Sequence, residues 1–419
     1  MKRRLEEKVL AKIDQLENEL ISLTRDLISI PTVNPPGENY VECVSVLKDV
    51  LSDIGCSVRV VDVPKNKLSE LAPHGKGLPR PSLIAELGCS KKGPVLHFNG
   101  HYDVVPATGD WKIDPFKPLI KDGKIYGRGA SDMKGAIASM ITAFKAIIES
   151  DVQLKGSLTL SATPDEETDG FAGAGFITKE GYVKADYCVV GEPSGINNVW
   201  NAHKGALWME ITTIGKAAHG STPWLGLNAF DKMVKVVNAI NQNIKPKLAK
   251  RISSYPTIPP EGRASTIVVG GTVETGKAIN IVPDRCTVTI DRRLIPEETV
   301  KDAKNEILNL ISELQRQDPE LKIETKILSQ FDACLTPLDS PICTEIVEAI
   351  KDVTGNNPLI TMCVGGLDMR YFSEIGIPTI AYGPGDFRLA HTVNEYVDIQ
   401  QLVTAAKVYA LLVIRIMNK

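Results

Sequence analysis

In the first part of the chain, up to about residue 200, short apolar runs alternate with helix-like segments, and this alternation restricts the fold more than any other feature. Strand-like runs occupy residues 95–99, 157–162 and 187–190, and residues 133–148 have helical spacing. Alternating β and α units predict an α/β fold whose sheet is mainly parallel, with helices on both faces. Functional residues of such a sheet collect at the carboxyl ends of its strands.

The pattern changes near residue 203. Strand patterns then occupy residues 207–214, 286–290 and 322–327, and helical patterns occupy residues 228–241 and 300–315. A sheet with two helices indicates a small inserted α+β domain. The α/β pattern returns with a helix near residues 342–353 and a strand at 378–382. We therefore expect an α/β domain from residues 1–202 and 333–419, and an inserted domain from residues 203–332.

Composition excludes several classes of protein. The chain of 419 residues is 43% hydrophobic and 24% charged, with a net charge of −3, as in ordinary globular proteins. It has no basic stripe of the kind that binds nucleic acid. The eight cysteines are scattered and form no CxxC motif, which indicates reduced thiols in the cytoplasm. They are Cys43, Cys56, Cys89, Cys188, Cys286, Cys334, Cys343 and Cys363.

Neither end of the chain predicts a membrane segment. The N-terminus begins with basic residues, but acids follow at once, so we do not expect a signal peptide. Its leucines, valine and isoleucine between residues 5 and 20 lie on one helical face. The apolar stretch at 403–417 is interrupted by Lys407 and Arg415 and is shorter than the ~20 residues of a membrane span. We expect a helix packed on the core.

The strand at 95–99 leads directly into a His-x-Asp motif. His101 is able to ligate a metal through one ring nitrogen, while Asp103 holds the other ring N–H. For this motif alone, a satisfied loop histidine is the better explanation. Asp132 stands where a glycine-rich loop meets a helix, so it is either the N-cap of that helix or a carboxylate shared by two cations.

Three acids, Asp165, Glu166 and Glu167, end the strand at 157–162. Acids at the end of a buried strand repel one another unless a positive charge lies nearby, although a solvated turn is the plainer reading. In a metal site, one of them would bind the metal and another would move protons. Glu192 follows the strand at 187–190, and His391 occurs late in the chain.

Together these motifs predict a paired metal site. Two histidines, a shared aspartate and two glutamates would give each of two metals one His, one Glu and the shared Asp. Nitrogen and oxygen ligands suit catalytic Zn²⁺, with Co²⁺ or Mn²⁺ as possible substitutes. Metals ~3.5–4 Å apart generate hydroxide near neutral pH and polarise a carbonyl, and one acid remains as a general base.

The motifs, in this order, resemble the M20 metallopeptidase family, which includes acetylornithine deacetylase, succinyl-diaminopimelate desuccinylase, aminoacylase-1 and glutamate carboxypeptidase. The resemblance runs from residues 31–36 (PTVNPP) to His391. It implies a zinc-peptidase-like mixed sheet flanked by helices, with an inserted α+β lid or dimerisation domain. It also implies two Zn²⁺ per chain. One would be bound by His101, Asp132 and Glu192, and the other by Asp132, Glu167 and His391.

The resemblance also assigns catalytic and substrate-binding roles. Glu166 would be the base that activates the metal-bridging water, and Asp103 would orient His101. His219 would stabilise the oxyanion across the interface of a homodimer formed through the lid. The expected contacts to a small carboxylate-bearing substrate are Asn280, Arg293, Gly365 and Gly366. His219 has the alternative of a surface histidine, and Arg293 that of a strand arginine paired with Asp291. Gly365 and Gly366 would shape the pocket rim through their backbone N–H groups.

We expect hydrolysis of an N-acyl amino acid, of the deacetylase or desuccinylase type. A carboxypeptidase or dipeptidase would use the same metals and base, so the sequence does not separate these activities. A catalytically inert homologue should have lost a ligand or the base, but Glu166 and the five ligand positions are present. A two-metal phosphatase is disfavoured because no phosphate-cradling loop is recognisable. Arg292 is expected to point to the opposite face of the sheet from Arg293, as a solvated strand residue or as a partner of Asp291. Arg370 is either a pocket residue or a helix-surface ion-pair partner. His74, His97 and His203 are assigned to structure.

Overall fold

The computed structural model describes residues 2–88 and 93–418, so Cys89 lies outside the described residues. The chain divides into two compact units. The first contains the residues up to Asn201, together with Thr336–Ile360 and the residues from Leu367 onward. The second contains Ala202–Leu335 and Thr361–Gly366. The second unit is therefore an insertion in the sequence of the first.

The secondary structure alternates between strands and helices. The strands are β1 (Ser57–Asp62), β2 (Pro81–Leu87), β3 (Val95–His101), β4 (Leu119–Lys121), β5 (Lys124–Tyr126), β6 (Ser157–Thr163), β7 (Tyr187–Val190), β8 (Asn198–His203), β9 (Gly205–Ile214), β10 (Ala218–His219), β11 (Thr266–Thr275), β12 (Ile281–Val282), β13 (Arg285–Leu294), β14 (Lys322–Phe331), β15 (Cys334–Leu335), β16 (Leu359–Cys363), β17 (Thr379–Ala381) and β18 (Tyr396–Asp398). The helices are α1 (Lys2–Gln15), α2 (Glu17–Ser29), α3 (Tyr40–Asp53), α4 (Leu68–Leu71), α5 (Gly135–Glu149), α6 (Ala174–Lys179), α7 (Ala229–Asn243), α8 (Lys245–Leu248), α9 (Val300–Gln317), α10 (Pro341–Thr354), α11 (Met369–Glu374) and α12 (Ile399–Met417).

The central sheet of the first unit has the strand order β1-β2-β6-β3-β7-β17-β8. Its four central strands, β6, β3, β7 and β17, are parallel, as the sequence predicts. The strand pairs at both edges are antiparallel, so the prediction of a mainly parallel sheet holds only for the centre. The connections at residues 88–94 and 191–197 are too short for the crossover that a parallel strand requires. The expected mixed sheet flanked by helices is confirmed.

Helices cover both faces of this sheet because side chains alternate along β3. Phe98 packs against Phe144 of α5 and Tyr409 of α12, with ring centroids 5.8 Å and 5.3 Å away. The preceding residue, His97, faces Phe372 of α11 on the other side, at 5.3 Å. Successive residues of a strand point to opposite faces, so the apolar core and the α11 side are separated by the sheet.

The C-terminal helix α12 is a core helix. By length and composition it passes a test for a membrane span, but 78% of the tested stretch is buried inside the protein. It packs against α5, α10 and α1. The apolar N-terminal face predicted from the sequence is divided between α1 and α2, which meet at the buried Leu16.

The second unit is a four-stranded antiparallel sheet in the order β11-β13-β9-β14. The amphipathic helices α7 and α9 cover one face of this sheet. Side chains along β13 alternate between buried positions on the covered face and partly exposed positions on the other face. This matches the expected α+β pattern. Arg292 is on the helix-covered face, fully buried and paired with Glu298, so the expectation of a solvated arginine is wrong. A buried guanidinium requires such a carboxylate partner.

Candidate metal centre

The first unit brings together the metal-ligating groups expected from the sequence, beginning with His101 at the end of β3. Its side chain is buried, with Nε2 3.0 Å from Oδ1 of Asp132. Its Nδ1 lies 3.0 Å from the backbone carbonyl oxygen of Asp103 and 3.6 Å from the carboxylate of the same residue. The main contact of Asp103 with this ring is therefore through its carbonyl. This contact leaves Nε2 as the ring nitrogen that faces the acids.

Asp132 lies between the two histidines. Its Oδ1 contacts His101, and its Oδ2 is 3.5 Å from Nε2 of His391. His391 Nε2 is also 2.8 Å from Oε2 of Glu167. One carboxylate thus presents one oxygen to each histidine, which is the geometry that a ligand shared by two cations needs.

The turn that carries Asp132 is irregular. Gly129 has a φ of 87°, and a Cβ atom there would lie 2.7 Å from Val104, so the position favours glycine. Asp132 itself is non-helical, with φ −124° and ψ 93°. Helix α5 begins at Gly135 with Lys134 as its N-cap, and no side chain caps it. The alternative that Asp132 caps this helix is therefore wrong.

The three acids after β6 have different surroundings. Asp165 points away from the histidines and accepts hydrogen bonds from Arg80 Nε at 2.5 Å and from the Tyr40 hydroxyl at 2.8 Å. The backbone N–H groups of Glu166 and Glu167 each donate to the Asp103 carboxylate at 3.2 Å. Asp103 therefore holds the main chain of this loop, which leaves both glutamate side chains to face the site.

Glu192 completes the cluster from the loop after β7. Its side chain is 3% exposed, and Oε1 has no hydrogen-bond partner among the described residues. Two sets of side chains have ligand atoms within 4.8 Å of one another. They are His101 with Glu166 and Glu192, and His101 with Asp132 and Glu167. His101 is common to both sets, whereas the sequence-based assignment shares Asp132.

The electrostatics of the cluster favour the presence of a positive charge. Burial, with the charge of Glu192, raises the pKa of Glu166 well above its usual value. Burial and the charge of Asp132 likewise raise the pKa values of Glu192 and Glu167. Closely spaced buried carboxylates resist ionisation together unless a cation neutralises them. Imidazole nitrogens and carboxylate oxygens, with the unpartnered oxygen of Glu192, fit Zn²⁺, Mn²⁺ or Co²⁺.

The remaining candidates lie in the second unit. His219 is exposed on the β10–β12 ribbon, where its Nδ1 is 2.7 Å from the Ser221 hydroxyl. Asn280 lies beside His219, because the carbonyl of Asn280 accepts the N–H of the next residue, Gly220, at 2.8 Å. Arg293 is partly exposed and forms a two-pronged contact with Asp291, at 2.8 Å and 3.1 Å. Gly365 lies in a bend after β16, and Gly366 follows it.

Three further residues of the first unit are buried near the site; the sequence assigns no role to Glu395 or Asp368 and leaves two alternatives open for Arg370. Glu395 is fully buried and binds the loop of Asp132. Asp368 is 1% exposed, and neither carboxylate oxygen has a hydrogen-bond partner within the described part of the chain. Arg370 is buried and donates to the carbonyl of Asp169, so the helix-surface alternative is wrong. The sequence around an acidic residue does not show which way its side chain points, so the positions of Glu395 and Asp368 could not be predicted from their motifs.

Comparison with known proteins identifies the family. The model of Peptidase family M20/M25/M40 matches residues 97–415, which include the whole cluster. The chain belongs to this family. It is therefore an M20 hydrolase, and the resemblance seen in the motifs is confirmed.

Individual M20 relatives match over nearly their full length. A probable succinyl-diaminopimelate desuccinylase of Staphylococcus epidermidis is 30% identical over 414 residues, covering 94% of this chain and 96% of that protein. A deformylase of Bacillus subtilis that acts on N-formyl-4-amino-5-aminomethyl-2-methylpyrimidine is 28% identical, covering 95% and 94%. The structure of human carnosine dipeptidase 1 superposes with a TM-score of 0.76 at 19% identity, covering 99% of both chains. Both sequence relatives are named for amide-bond hydrolysis.

Proposed function

We propose that this M20 hydrolase uses two metal ions to cleave the amide bond of an N-acyl amino acid. The observation that carries the proposal is the position of Asp132, whose two oxygens face His101 and His391. His101, Asp132 and Glu192 would hold one ion, and Asp132, Glu167 and His391 would hold the other. Zinc suits this donor set best, and Co²⁺ or Mn²⁺ would substitute.

When bound, such a metal pair polarises the scissile carbonyl and lowers the pKa of water. The protein supplies the proton transfers. Glu166 accepts a proton from the attacking water as the water oxygen bonds to the carbonyl carbon. It then gives that proton to the amine nitrogen as the C–N bond breaks. A carboxylate oxygen of Glu166 lies within 4.8 Å of the ligand atoms of His101 and Glu192. The Asp103 carboxylate accepts the backbone N–H of Glu166 and so fixes its backbone.

The proposed substrate is an N-acyl amino acid with a free carboxylate. The similarity to a probable succinyl-diaminopimelate desuccinylase supports this class. We assign the carboxylate to Arg293 and Asn280, with Gly365 and Gly366 shaping the pocket. Arg293 already holds the carboxylate of Asp291 through two nitrogens, which is the contact that a substrate carboxylate would make. The substrate would compete with Asp291 for this guanidinium.

A screen of zinc-loaded protein tests this activity. N-acetyl and N-succinyl amino acids are compared with N-formyl amines and dipeptides, and released amine is measured with and without EDTA. We expect EDTA-sensitive release from the acyl amino acids. The E166A variant should bind as much metal as the wild type but lose about 10²–10⁴-fold in kcat, the usual contribution of a general base. Dipeptides as the preferred substrates would contradict the proposed class, and an active E166A would contradict the base.

We further propose a cytoplasmic homodimer in which His219 of one subunit serves the site of its partner. The exposed position of His219 supports this role, as do the exposed Trp224 and Ile279 nearby on the second unit. Cys43 and Cys343 are buried thiols, consistent with a reducing compartment.

Hybrid dimers test the position of His219. E166A and H219A are each expected to be nearly inactive, while a refolded mixture forms hybrids with one intact site. Recovery of up to half the wild-type activity per hybrid supports catalysis across the interface. A mixture as inactive as its parents, with hybrids confirmed by differently tagged chains, would contradict it.

A further inference from the structure

Glu395 is a buried acid that belongs to the His391 segment but does not face the proposed metals. Its side chain is fully buried. Oε1 accepts the backbone N–H groups of Gly129, Ser131 and Asp132, at 3.1, 2.8 and 3.1 Å. Oε2 accepts Nη1 of Arg128 at 2.6 Å. All the donors come from the one turn that carries Asp132, so a single carboxylate organises that turn.

These contacts explain how a carboxylate tolerates complete burial. Each is a charge-assisted hydrogen bond, roughly twice as strong as a bond between neutral groups. Successive backbone N–H groups that converge on one oxygen form an anion-binding concavity. Arg128 balances the charge and stacks 5.1 Å from the ring of Trp111. With these donors in place, Glu395 is not available as a metal ligand.

The same segment is tied to the turn by its main chain. Gly127 donates its N–H to the carbonyl of Glu395 at 2.9 Å. The side-chain Oδ1 of Asn394 accepts the N–H of Lys112 at 2.7 Å. His391 is four residues before Glu395, and its Nε2 lies 3.5 Å from Oδ2 of Asp132.

We propose that Glu395 is a positioning residue that holds Asp132 and His391 at the spacing needed to bind one metal together. The inference rests on the proposed function, because it concerns the metal that these two residues would share. Asp103 holds the Glu166–Glu167 backbone in the same manner, so two of the three loops that carry acidic ligands are each fixed by a buried carboxylate. Residues that orient ligands typically change metal affinity by about 10–100-fold when they are replaced.

Metal affinity measured against stability tests this role. Zn²⁺ is titrated into metal-free wild type, E395Q and E395A in competition with a chelating dye, and unfolding of each metal-free protein is followed in urea. E395Q keeps the shape and an acceptor oxygen but loses the charge, so we expect about 10-fold weaker binding of at least one Zn²⁺. E395A removes the acceptor and should weaken binding by about 100-fold. R128Q serves as a second route if E395A does not fold.

E298Q is the matched control. Glu298 is also a mostly buried carboxylate, which binds Arg292 at 2.5 Å and the backbone N–H of Ile295 at 3.3 Å. The E298Q variant should lose about as much unfolding free energy as E395Q while keeping wild-type Zn²⁺ affinity. Equal affinity in wild type, E395Q and R128Q, or the same loss in E298Q, would overturn the inference. A wild type that binds no Zn²⁺ would instead refute the proposed metal site.

Discussion

Replacing Arg80 with methionine should disrupt the site from a distance. Arg80 is 1% exposed, and its guanidinium donates Nε to Asp165 at 2.5 Å and Nη2 to the carbonyl of Pro36 at 2.6 Å. It also lies 5.0 Å from the ring centroid of Tyr40. Methionine fills much of the same volume but offers no donor. The R80M variant therefore leaves the Asp165 carboxylate, itself 2% exposed, without its counter-charge.

The expected loss follows from that uncompensated charge. Removing one partner of a buried ion pair costs about 3–5 kcal/mol, and the lost cation–π contact adds about 1 kcal/mol. Tyr40 and Asn34 still donate to Asp165, at 2.8 Å and 3.1 Å, which offsets part of the cost. We expect a loss of about 4 kcal/mol in the unfolding free energy. Because Asp165 precedes Glu166, a shift of this loop should also lower kcat by about 10-fold or more.

Hydrogen exchange and urea unfolding measure the stability loss, and the hydrolysis screen measures kcat. The control is R415M, in the same unit. Arg415 pairs with two acids, Asp352 and Glu6, whose side chains are 56% and 16% exposed. Water solvates Asp352 well and reaches part of Glu6, so we expect a loss of about 2 kcal/mol, smaller than in R80M, with unchanged kcat. If R80M is no less stable than R415M, or if its kcat equals that of the wild type, the reasoning about the buried network is wrong.

Two further predictions concern pH and metal. Burial lowers the pKa of His97 to about 3, below its ordinary 6.5. Its contribution to stability is therefore complete above pH 6.5 and declines as the pH falls. Between pH 6 and 4 the unfolding free energy of the wild type should fall more steeply than that of H97Q, by up to about 1.4 kcal/mol per pH unit; parallel curves would contradict this. Zn²⁺ at one hundred times its Kd should add about 2.7 kcal/mol to the stability of the EDTA-treated wild type. It should add less to H391A, which should also bind fewer Zn²⁺ per chain, and equal stoichiometry would remove His391 from the ligand set.

The central elements of the fold were predictable because their signals are local. The strand patterns at residues 157–162 and 187–190 correspond to β6 and β7, and the helix at 300–315 corresponds to α9. The edge strands β1, β2 and β8 were not predicted, because their pairing depends on distant parts of the chain. The small sheet formed by β4, β5 and β18 joins segments more than 200 residues apart for the same reason. Periodicity alone carries no record of which segments pair.

Arg292 and Arg293 illustrate a limit of residue patterns. Alternation along β13 correctly places them on opposite faces of the sheet. It does not show which face the helices cover, so it does not predict that Arg292 is buried. Helices α7 and α9 pack on the face that carries Arg292. The guanidinium of Arg292 is tolerated because Glu298 lies opposite, and no local pattern marks that pairing.

The acidic motifs show why the sequence identified the site but not its internal organisation. The acids of these motifs divide between two roles: some face the histidines, while others turn away to hold a backbone or a cation. Asp103 binds the amides of Glu166 and Glu167, Asp165 binds Arg80, and Glu395 binds the amides beside Asp132. Identical functional groups therefore serve as ligand or as support according to the donors that surround them. A buried turn with several unpaired main-chain N–H groups needs hydrogen-bond acceptors. One carboxylate can accept several of these N–H groups, so a single residue is enough. A site built from buried acids on turns consequently contains more acids than its metals can bind, and the surplus fixes the loops that carry the ligands.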